Sequence, residues 1–313
     1  MHHRRPKIGL VGAGQIGGNL ALLAVQKELG DVVLLDIPQA EGLAKGKALD
    51  IAQLTAVERS DSRLKGTSNY DDLADSDVVI ITAGIPRKPG MSREDLLATN
   101  LKIMTSVASE LKRVCPNAFM INIANPLDAM VYALKKITGA DDKRVVGMSG
   151  ILDSSRFKTF ISMELDVSPK DINALVLGGH GDDMVPITRL STVGGVPLTS
   201  LIPKDRLSAI VERTRKGGGE IVALFGNGSA YYAPAAAAIE MAESYLKDSR
   251  RVLPVACWLS GQFGLSDMYF GVPAIIGKNG VEKILDFELT PEEKGMIEKS
   301  ATSVKKSVAE TKL

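Results

Sequence analysis

The sequence has few of the features that mark several large classes of protein. Its only cysteines are Cys115 and Cys257, without C-x-x-C spacing, which argues against a disulfide scaffold or a metal site and favours a reducing, cytoplasmic location. No apolar run reaches the ~18 residues of a membrane span, and the basic start MHHRRPK is not followed by the apolar region of a signal peptide. We therefore expect neither a metal nor a membrane partner.

The sequence also has little net charge and few histidines. Lys and Arg number 38 against 37 Asp and Glu, and no basic stripe or aromatic platform stands out, so we expect no nucleic-acid partner. The chain has three histidines, of which His2 and His3 lie at the extreme N-terminus. His180, in LVLGGHGDDMVP, is thus the only side chain in the body of the chain whose ordinary pKa suits a base at neutral pH.

The first half alternates short apolar runs with helical patterns. The runs KIGLVG, VVLLD, DVVIITAG, AFMINIANP and RVVGMSG alternate with predicted helices over 15–28, 41–57, 93–114 and 127–137. Runs that are apolar on both faces, separated by helices, are typical of parallel strands with crossover helices. The pattern predicts an α/β Rossmann fold, a doubly wound parallel sheet.

The rhythm changes near residue 150. We predict a helix over 154–164, a β-rich stretch over 171–197, and helices that begin near Arg206 and Ser229. A strand-like pair, MYFGVPAIIG and GVEKILDFEL, precedes a final helix with Thr290 as N-cap and Pro291 as first residue. We expect a Rossmann domain over 1–149 and a second, α+β domain over 150–313.

A glycine-rich turn follows the first predicted strand. IGLVGAGQIGGN places Gly12, Gly14 and Gly17 between a strand and a helix. In this context the first glycine permits a tight turn, the second lets a pyrophosphate approach the backbone, and the third lets helix and sheet pack closely. The helix N-terminus adds free N–H groups. We predict cofactor contacts from these glycines and from the intervening Gln15 and Ile16.

Asp36 ends the second predicted strand, about 20 residues after the last of these glycines, where a dinucleotide-binding acid accepts from the adenine ribose. A carboxylate there would repel a 2′-phosphate, and Ile37 and Pro38 follow instead of an arginine. The expected cofactor is therefore NAD. The alternative is a glycine turn and a surface aspartate without a ligand.

Two further segments carry candidate catalytic residues. ILDSSRFK places Asp153 and Arg156 one helical turn apart, so they either act together or form a local surface ion pair. AGIPRKPGMSRED places Arg87, Lys88 and Arg93 in a loop after a strand's carboxyl end, where an open α/β sheet binds its ligand.

Several motifs together resemble the lactate/malate dehydrogenase family, and within it the lactate-dehydrogenase-like malate dehydrogenases. The resemblance covers nearly the whole chain. Its motifs, in family order, are KIGLVGAGQIGG, TAGIPRKPGMSREDLL, NPLDAMV, GMSGILDSSRF, LGGHGDDMVP, GSAYYAPAAA and GVPAIIGKNGVE.

The resemblance implies a role for each candidate. His180 would be the proton acceptor and Asp153 its partner. Arg156 would bind the substrate's C1 carboxylate, Arg93 would polarise the C2 oxygen, and Asn125 would orient substrate and cofactor. An arginine fork fixes a carboxylate in two directions, and an acid beside an imidazole selects its tautomer, so these roles are chemically consistent.

The resemblance also extends the site. Asn100 and the strand end from Ile123 to Asn125 would contact NAD, and Ser229 and Ala230 would leave room for a second substrate carboxylate.

The run RKGGGEIV suggests either a helix that closely approaches the site or a neighbouring subunit, or a loop-to-helix junction. Family members assemble, so a homodimer or homotetramer is expected, with the helix over 42–57 in a dimer face.

Arg87 bears on the substrate. After AGIP, lactate dehydrogenases typically have Gln and malate dehydrogenases Arg. A buried guanidinium facing a methyl group would be an unpaired charge, whereas a second carboxylate would pair with it. The expectation is an NAD-dependent enzyme of the tricarboxylic acid cycle that interconverts (S)-malate and oxaloacetate. The alternatives are a lactate or broader 2-hydroxy-acid dehydrogenase and a non-catalytic NAD-binding sensor.

Overall fold

The first half of the chain forms a parallel sheet with crossover helices. The structure, a computed structural model, describes residues 4–86, 92–226 and 228–313, with the backbone alone at Arg93. The elements are β1 (Lys7–Val11), α1 (Gln15–Gln26), β2 (Asp31–Leu35), α2 (Glu41–Glu58), β3 (Leu64–Thr67), β4 (Val78–Ile81), α3 (Arg93–Val114), β5 (Phe119–Asn122), α4 (Leu127–Thr138) and β6 (Val145–Gly147). These strands pair in parallel in the order β6-β5-β4-β1-β2-β3. The predicted Rossmann sheet is confirmed.

Both faces of this sheet are buried, which explains the near-continuous apolar runs. On β1, Ile8 and Leu10 pack into the core that includes α1 and α8 (Tyr232–Leu246), and Val11 packs with α3 and α4 on the opposite face. On β4, Val78 and Val79 divide between the faces in the same way. Apolar side chains pointing both ways are the signature of a covered parallel sheet.

The second half adds helices and mainly antiparallel strands. They are α5 (Gly150–Leu165), β7 (Ile172–Asn173), β8 (Val176–Leu177), β9 (Val185–Pro186), β10 (Thr192–Val193), β11 (Val196–Pro197), α6 (Leu198–Leu201), α7 (Lys204–Phe225), α8, β12 (Arg251–Ser260), β13 (Ser266–Gly277), β14 (Gly280–Ile284) and α9 (Pro291–Ala309). A capping box between Thr290 and Glu293 opens α9, and Pro291 is its first residue, as predicted.

The large sheet continues across the expected boundary near residue 150. Within the described residues it has nine strands in the order β14-β13-β12-β6-β5-β4-β1-β2-β3, and Ala256 of β12 lies opposite Gly147 of β6. The expected boundary lies between β6 and α5 in the chain, and the sheet continues past it through β12. Two smaller sheets, β11-β10-β7 and β8-β9, belong to the second half.

Candidate active site

The carboxyl ends of the central parallel strands lie at one edge of the sheet. In the strand register Val11 is opposite Ile81, and Ile81 is opposite Asn122. The segments that follow β1, β4 and β5 therefore leave the sheet side by side. An open α/β sheet binds its ligand at this edge, where strand order reverses between β1 and β4.

The glycine turn between β1 and α1 is closely packed at two of its three glycines. Gly12 has φ +109°, and a Cβ there would collide with the Thr82 hydroxyl. A Cβ on Gly17 would collide with the carbonyl oxygen of Gly12. A Cβ on Gly14, in contrast, would meet no protein atom within 4 Å. The tight turn explains Gly12, and close packing of helix and turn explains Gly17. At Gly14 the backbone is uncovered at the start of α1, as the predicted contact with a dinucleotide requires.

Asp36 and Lys47 hold this turn from two sides. Asp36 Oδ2 accepts from the backbone N–H of Ala13 at 2.6 Å, and its Oδ1 accepts from that of Ile37 at 2.8 Å. Lys47 Nζ donates to the Gly14 carbonyl at 2.7 Å. Burial lowers the pKa of Lys47, although the charge of Asp36 opposes that shift. Each carboxylate oxygen keeps further acceptor capacity, so Asp36 can hold the turn and still accept from ribose hydroxyls.

Asn100 joins the segments that follow β4 and β5. Its Oδ1 accepts from Ile85 N–H at 2.8 Å, and its Nδ2 donates to the carbonyls of Ile85 at 3.1 Å and Asn125 at 2.6 Å. The side chain is buried, as is Ile123, whereas Asn125 is exposed. Both Asn100 N–H groups are used within the protein, so the hydrogen bonds shown here position the Asn125 backbone.

His180, Asp153 and Arg156 form one connected group. His180 Nδ1 lies 2.8 Å from Asp153 Oδ2, and Arg156 Nη1 donates to Asp153 Oδ1 at 2.8 Å. The Asp153 side chain is only 2% exposed, against 14% for His180 and 13% for Arg156. The expected pairing of His180 with Asp153 is present, and Asp153 and Arg156 form a largely buried pair.

The surrounding elements fix this geometry. Asp153 lies in the first turn of α5, directly after β6, and His180 follows β8. Ser154 Oγ accepts from Val176 N–H at 2.9 Å, which attaches β8 to α5. Gly178 forms a bridge with Gly271 of β13.

Two glycines in the interior of α7 lie close to the Arg156 side chain. A Cβ on Gly217 would lie 3.2 Å from Arg156 Cδ, and one on Gly218 would lie 3.4 Å from Nη2. The close-approach interpretation of RKGGGEIV therefore holds, and the run is not a loop-to-helix junction. Arg156 Nε is buried and finds no hydrogen-bond partner within the described part of the chain.

The charge of His180 depends on opposing effects. Burial alone lowers the pKa of His180, but attraction to Asp153 and the hydrogen bond between them outweigh it, so the pKa lies above its ordinary value. Arg156 opposes that rise and Asp128 adds to it. The site therefore stabilises the protonated imidazole, which a base must become when it takes up a proton.

Asp128 also belongs to this site, although none of the sequence motifs above points to it. It lies in the first turn of α4, and its Oδ2 accepts from the backbone N–H of His180 at 3.1 Å. Burial raises the pKa of Asp128 to about 6, although His180 opposes the shift. The sequence feature that could have identified Asp128 is its position as an acid in LDAMV, the otherwise apolar start of a predicted helix.

The segment that leads from β4 into α3 and the segment between α7 and α8 contain the other predicted substrate-site residues. Arg87 lies outside the described residues, as does the side chain of Arg93, whose backbone begins α3 after a Ser92 capping box. Ser229 and Ala230 lie between α7 and α8. Across residues 4–86, 92–226 and 228–313, no group of three potential metal-ligating side chains occurs. The helices of that portion include none long and apolar enough to cross a membrane.

Comparison with known proteins agrees with this architecture over both halves. A family model described as lactate/malate dehydrogenase, NAD binding domain, matches residues 6–147, and one described as lactate/malate dehydrogenase, alpha/beta C-terminal domain, matches residues 151–312. A malate dehydrogenase of Myxococcus xanthus is 64% identical over 99% of this chain and 98% of its own.

Solved structures of two related enzymes have nearly the same fold. A Cryptosporidium parvum malate dehydrogenase has a TM-score of 0.96 at 48% identity, covering 98% of this chain and 99% of its own. A lactate dehydrogenase of the same organism, in complex with lactic acid and nicotinamide adenine dinucleotide, has a TM-score of 0.96 at 47% identity, covering 99% of both chains. Backbone similarity alone therefore does not distinguish the two substrates.

Proposed function

Because the chain belongs to the lactate/malate dehydrogenase family, we propose that it interconverts malate and oxaloacetate with NAD, and that His180 carries the proton. The activity is that of an NAD-dependent malate dehydrogenase. The connected group of His180, Asp153 and Arg156 carries the proposal, because it places a base beside an arginine that can bind a carboxylate.

The cofactor site fits NAD. The open backbone at Gly14 and the start of α1 suit a pyrophosphate, and Asp36 suits the two ribose hydroxyls of NAD better than a 2′-phosphate. Asn125, Ile123 and Gln15 border the same edge and would complete the contacts. Bound there, NAD supplies the acceptor for the hydride that leaves C2 of the substrate.

The protein's own groups then handle binding and proton transfer. Arg156 holds the C1 carboxylate, and the Nδ1–H that His180 donates to Asp153 leaves Nε2 as the acceptor for the C2 hydroxyl proton. Asp153 stabilises the imidazolium that results. In the reverse direction His180 returns the proton to the C2 oxygen, and Arg93 stabilises the negative charge that develops there.

Arg87 supports malate over lactate as the substrate. A second carboxylate pairs with its guanidinium, whereas the methyl group of lactate would leave that charge unpaired.

We also propose that the protein forms an oligomer and is cytoplasmic. Leu43, Leu49 and Val57 of α2 are exposed at 49%, 63% and 81%, which supports packing of a second copy on this helix. We expect a homodimer or homotetramer, measurable by light scattering, and a cytoplasmic enzyme, since both cysteines are free and buried.

The direct test is NADH oxidation with oxaloacetate and with pyruvate in separate reactions, repeated with NADPH for the better substrate. A strong preference for oxaloacetate and NADH is expected. Faster turnover of pyruvate would refute the substrate assignment while leaving the proton shuttle intact. Binding of NADH without turnover of either acid would favour a sensor.

A further inference from the structure

The loop that carries His180 is held by two side chains from different helices. The backbone N–H of Gly179 donates to Ser300 Oγ of α9 at 3.0 Å, and that of His180 donates to Asp128 Oδ2 of α4 at 3.1 Å. A Cβ on Gly179 would lie 3.2 Å from the Asp128 carboxylate and would collide with Val304. Glycine at 179 thus permits the close approach of loop, α4 and α9.

The two attachments differ in charge. Ser300 shows that a neutral oxygen suffices to accept a backbone N–H at this loop. Asp128 instead places a carboxylate where it is only 9% exposed, and its Oδ1 is buried without a hydrogen-bond partner in the portion described. Burying a carboxylate with an unused oxygen is costly, so hydrogen bonding to the loop does not by itself explain an acid here.

The charges around His180 supply an explanation. From α5 it faces Asp153 and Arg156, and from α4 it faces Asp128. The described contacts of α9 with the adjoining Gly179 come from Ser300 and Val304, which are uncharged, and β13 contributes Gly271 beside Gly178. Asp128 is therefore a second anion near the imidazole, and it offsets the positive charge of Arg156.

We infer that Asp128 is a positioning residue for the proton shuttle: it fixes the His180 backbone, and its negative charge favours the protonated imidazole during turnover. The inference rests on the proposed function, since it requires His180 to take up and return the substrate proton. The start of α4 favours a negative charge at Asp128. With its pKa raised to about 6 by burial, the carboxylate is charged above that pH.

The Asp128→Asn variant separates charge from hydrogen bonding, because the amide retains an oxygen for the His180 N–H. Loss of an anion lowers the pKa of His180. The pH profiles of kcat/KM for malate and for oxaloacetate should each have a limb whose midpoint is set by the pKa of His180. We expect this His180 limb to move to lower pH by roughly half a unit to one unit. At a pH above that limb, oxaloacetate reduction should fall about 3- to 10-fold, since the protonated fraction falls by that factor.

Ser300→Ala is the matched control, because it removes the neutral attachment at the neighbouring residue. It should lower the rate at every pH and leave the limb in place. Thermal unfolding of each variant with NADH checks that it is folded. An unshifted limb in folded Asp128→Asn would overturn the inference, as would an equal shift in Ser300→Ala.

A third variant covers the case in which Asp128→Asn does not fold. Asp128→Glu keeps the charge and changes its position, so its limb should stay within a few tenths of a unit of wild type while the rate falls. A downward shift as large as that expected for the asparagine variant would contradict the inference. Failure of the proposed function is separately visible, since the wild-type enzyme would then fail to reduce oxaloacetate, or His180→Asn would keep its activity.

Discussion

Asp153 lies between His180 and Arg156, with one carboxylate oxygen 2.8 Å from His180 Nδ1 and the other 2.8 Å from Arg156 Nη1. One almost fully buried carboxylate thus orients both the proton carrier and the arginine that we assign to the substrate. A change at Asp153 should therefore affect proton transfer and substrate binding together.

Asp153→Asn should reduce kcat on the order of 10²- to 10⁴-fold, because an amide does not select the same imidazole tautomer or stabilise the imidazolium. Steady-state kinetics with saturating oxaloacetate and NADH measure this loss. Asp183→Asn is the control: Asp183 lies in the loop that carries His180, but it pairs with Lys299 and Ser303, so most activity should remain. Comparable losses in both variants would point to a general effect of removing a negative charge from this part of the protein.

The two reaction directions should have opposite pH dependences. Malate must bind the form with neutral His180 and oxaloacetate the form with protonated His180. The kcat/KM for malate should rise with pH through the pKa of His180, and that for oxaloacetate should fall. Because Asp153 outweighs burial, this pKa should lie above the ordinary ~6.5. Parallel profiles for the two substrates would contradict the assignment of His180 as the proton carrier.

Local sequence patterns were sufficient for much of the fold. The runs that form β1, β2, β4, β5 and β6 are apolar on both faces, and their crossover helices have helical spacing. β3 has no such pattern, because Lys65 and Gly66 interrupt it. Among the described strands it lies at the sheet edge and pairs with β2. The position of β3 in the sheet depends on its pairing with a neighbouring strand, and the local sequence does not predict that pairing.

Pairing between distant segments of the chain could not be predicted from local sequence either. β12 contains Pro254 and Trp258 and lacks regular alternation of apolar and polar residues, yet it joins the parallel sheet to β13. The same applies to Asp128, whose partner is a backbone N–H 52 positions along the chain. The spacing of Asp153 and Arg156 predicted their common side, but only the resemblance to a family placed His180 beside them.

Arg156→Lys should weaken substrate binding. A lysine supplies a point charge in place of a fork and would lose the fixed geometry beside Asp153. We expect kcat/KM for oxaloacetate to fall roughly 10- to 100-fold, mainly through KM. Arg213→Lys is a suitable control, because that arginine lies over the ring of Phe160, which belongs to α5 like Arg156, and pairs with the partly exposed Glu220. A similar rise in KM in the control would argue against a specific carboxylate contact.

Asp36→Asn should relax the preference for NADH. The amide oxygen can still accept from Ala13 N–H, but the negative charge that repels a 2′-phosphate is gone. The ratio of kcat/KM for NADPH to that for NADH should rise about tenfold or more. Asp31→Asn, at the opposite end of β2, should leave the ratio unchanged. An unchanged ratio in Asp36→Asn would place the cofactor's adenine ribose elsewhere.

Arg87→Gln should move the substrate preference toward pyruvate, because it removes the guanidinium that pairs with the second carboxylate of oxaloacetate. That loss should reduce kcat/KM for oxaloacetate on the order of 10²-fold or more, while pyruvate no longer faces an unpaired charge. Lys88→Gln removes one positive charge from the adjacent residue and should leave the preference in place. The ratio of kcat/KM for the two keto acids, at fixed NADH, distinguishes a specific pair at Arg87 from a general electrostatic effect of the loop. Unchanged selectivity for oxaloacetate in Arg87→Gln would refute the pairing, and an equal change in both variants would favour the general effect.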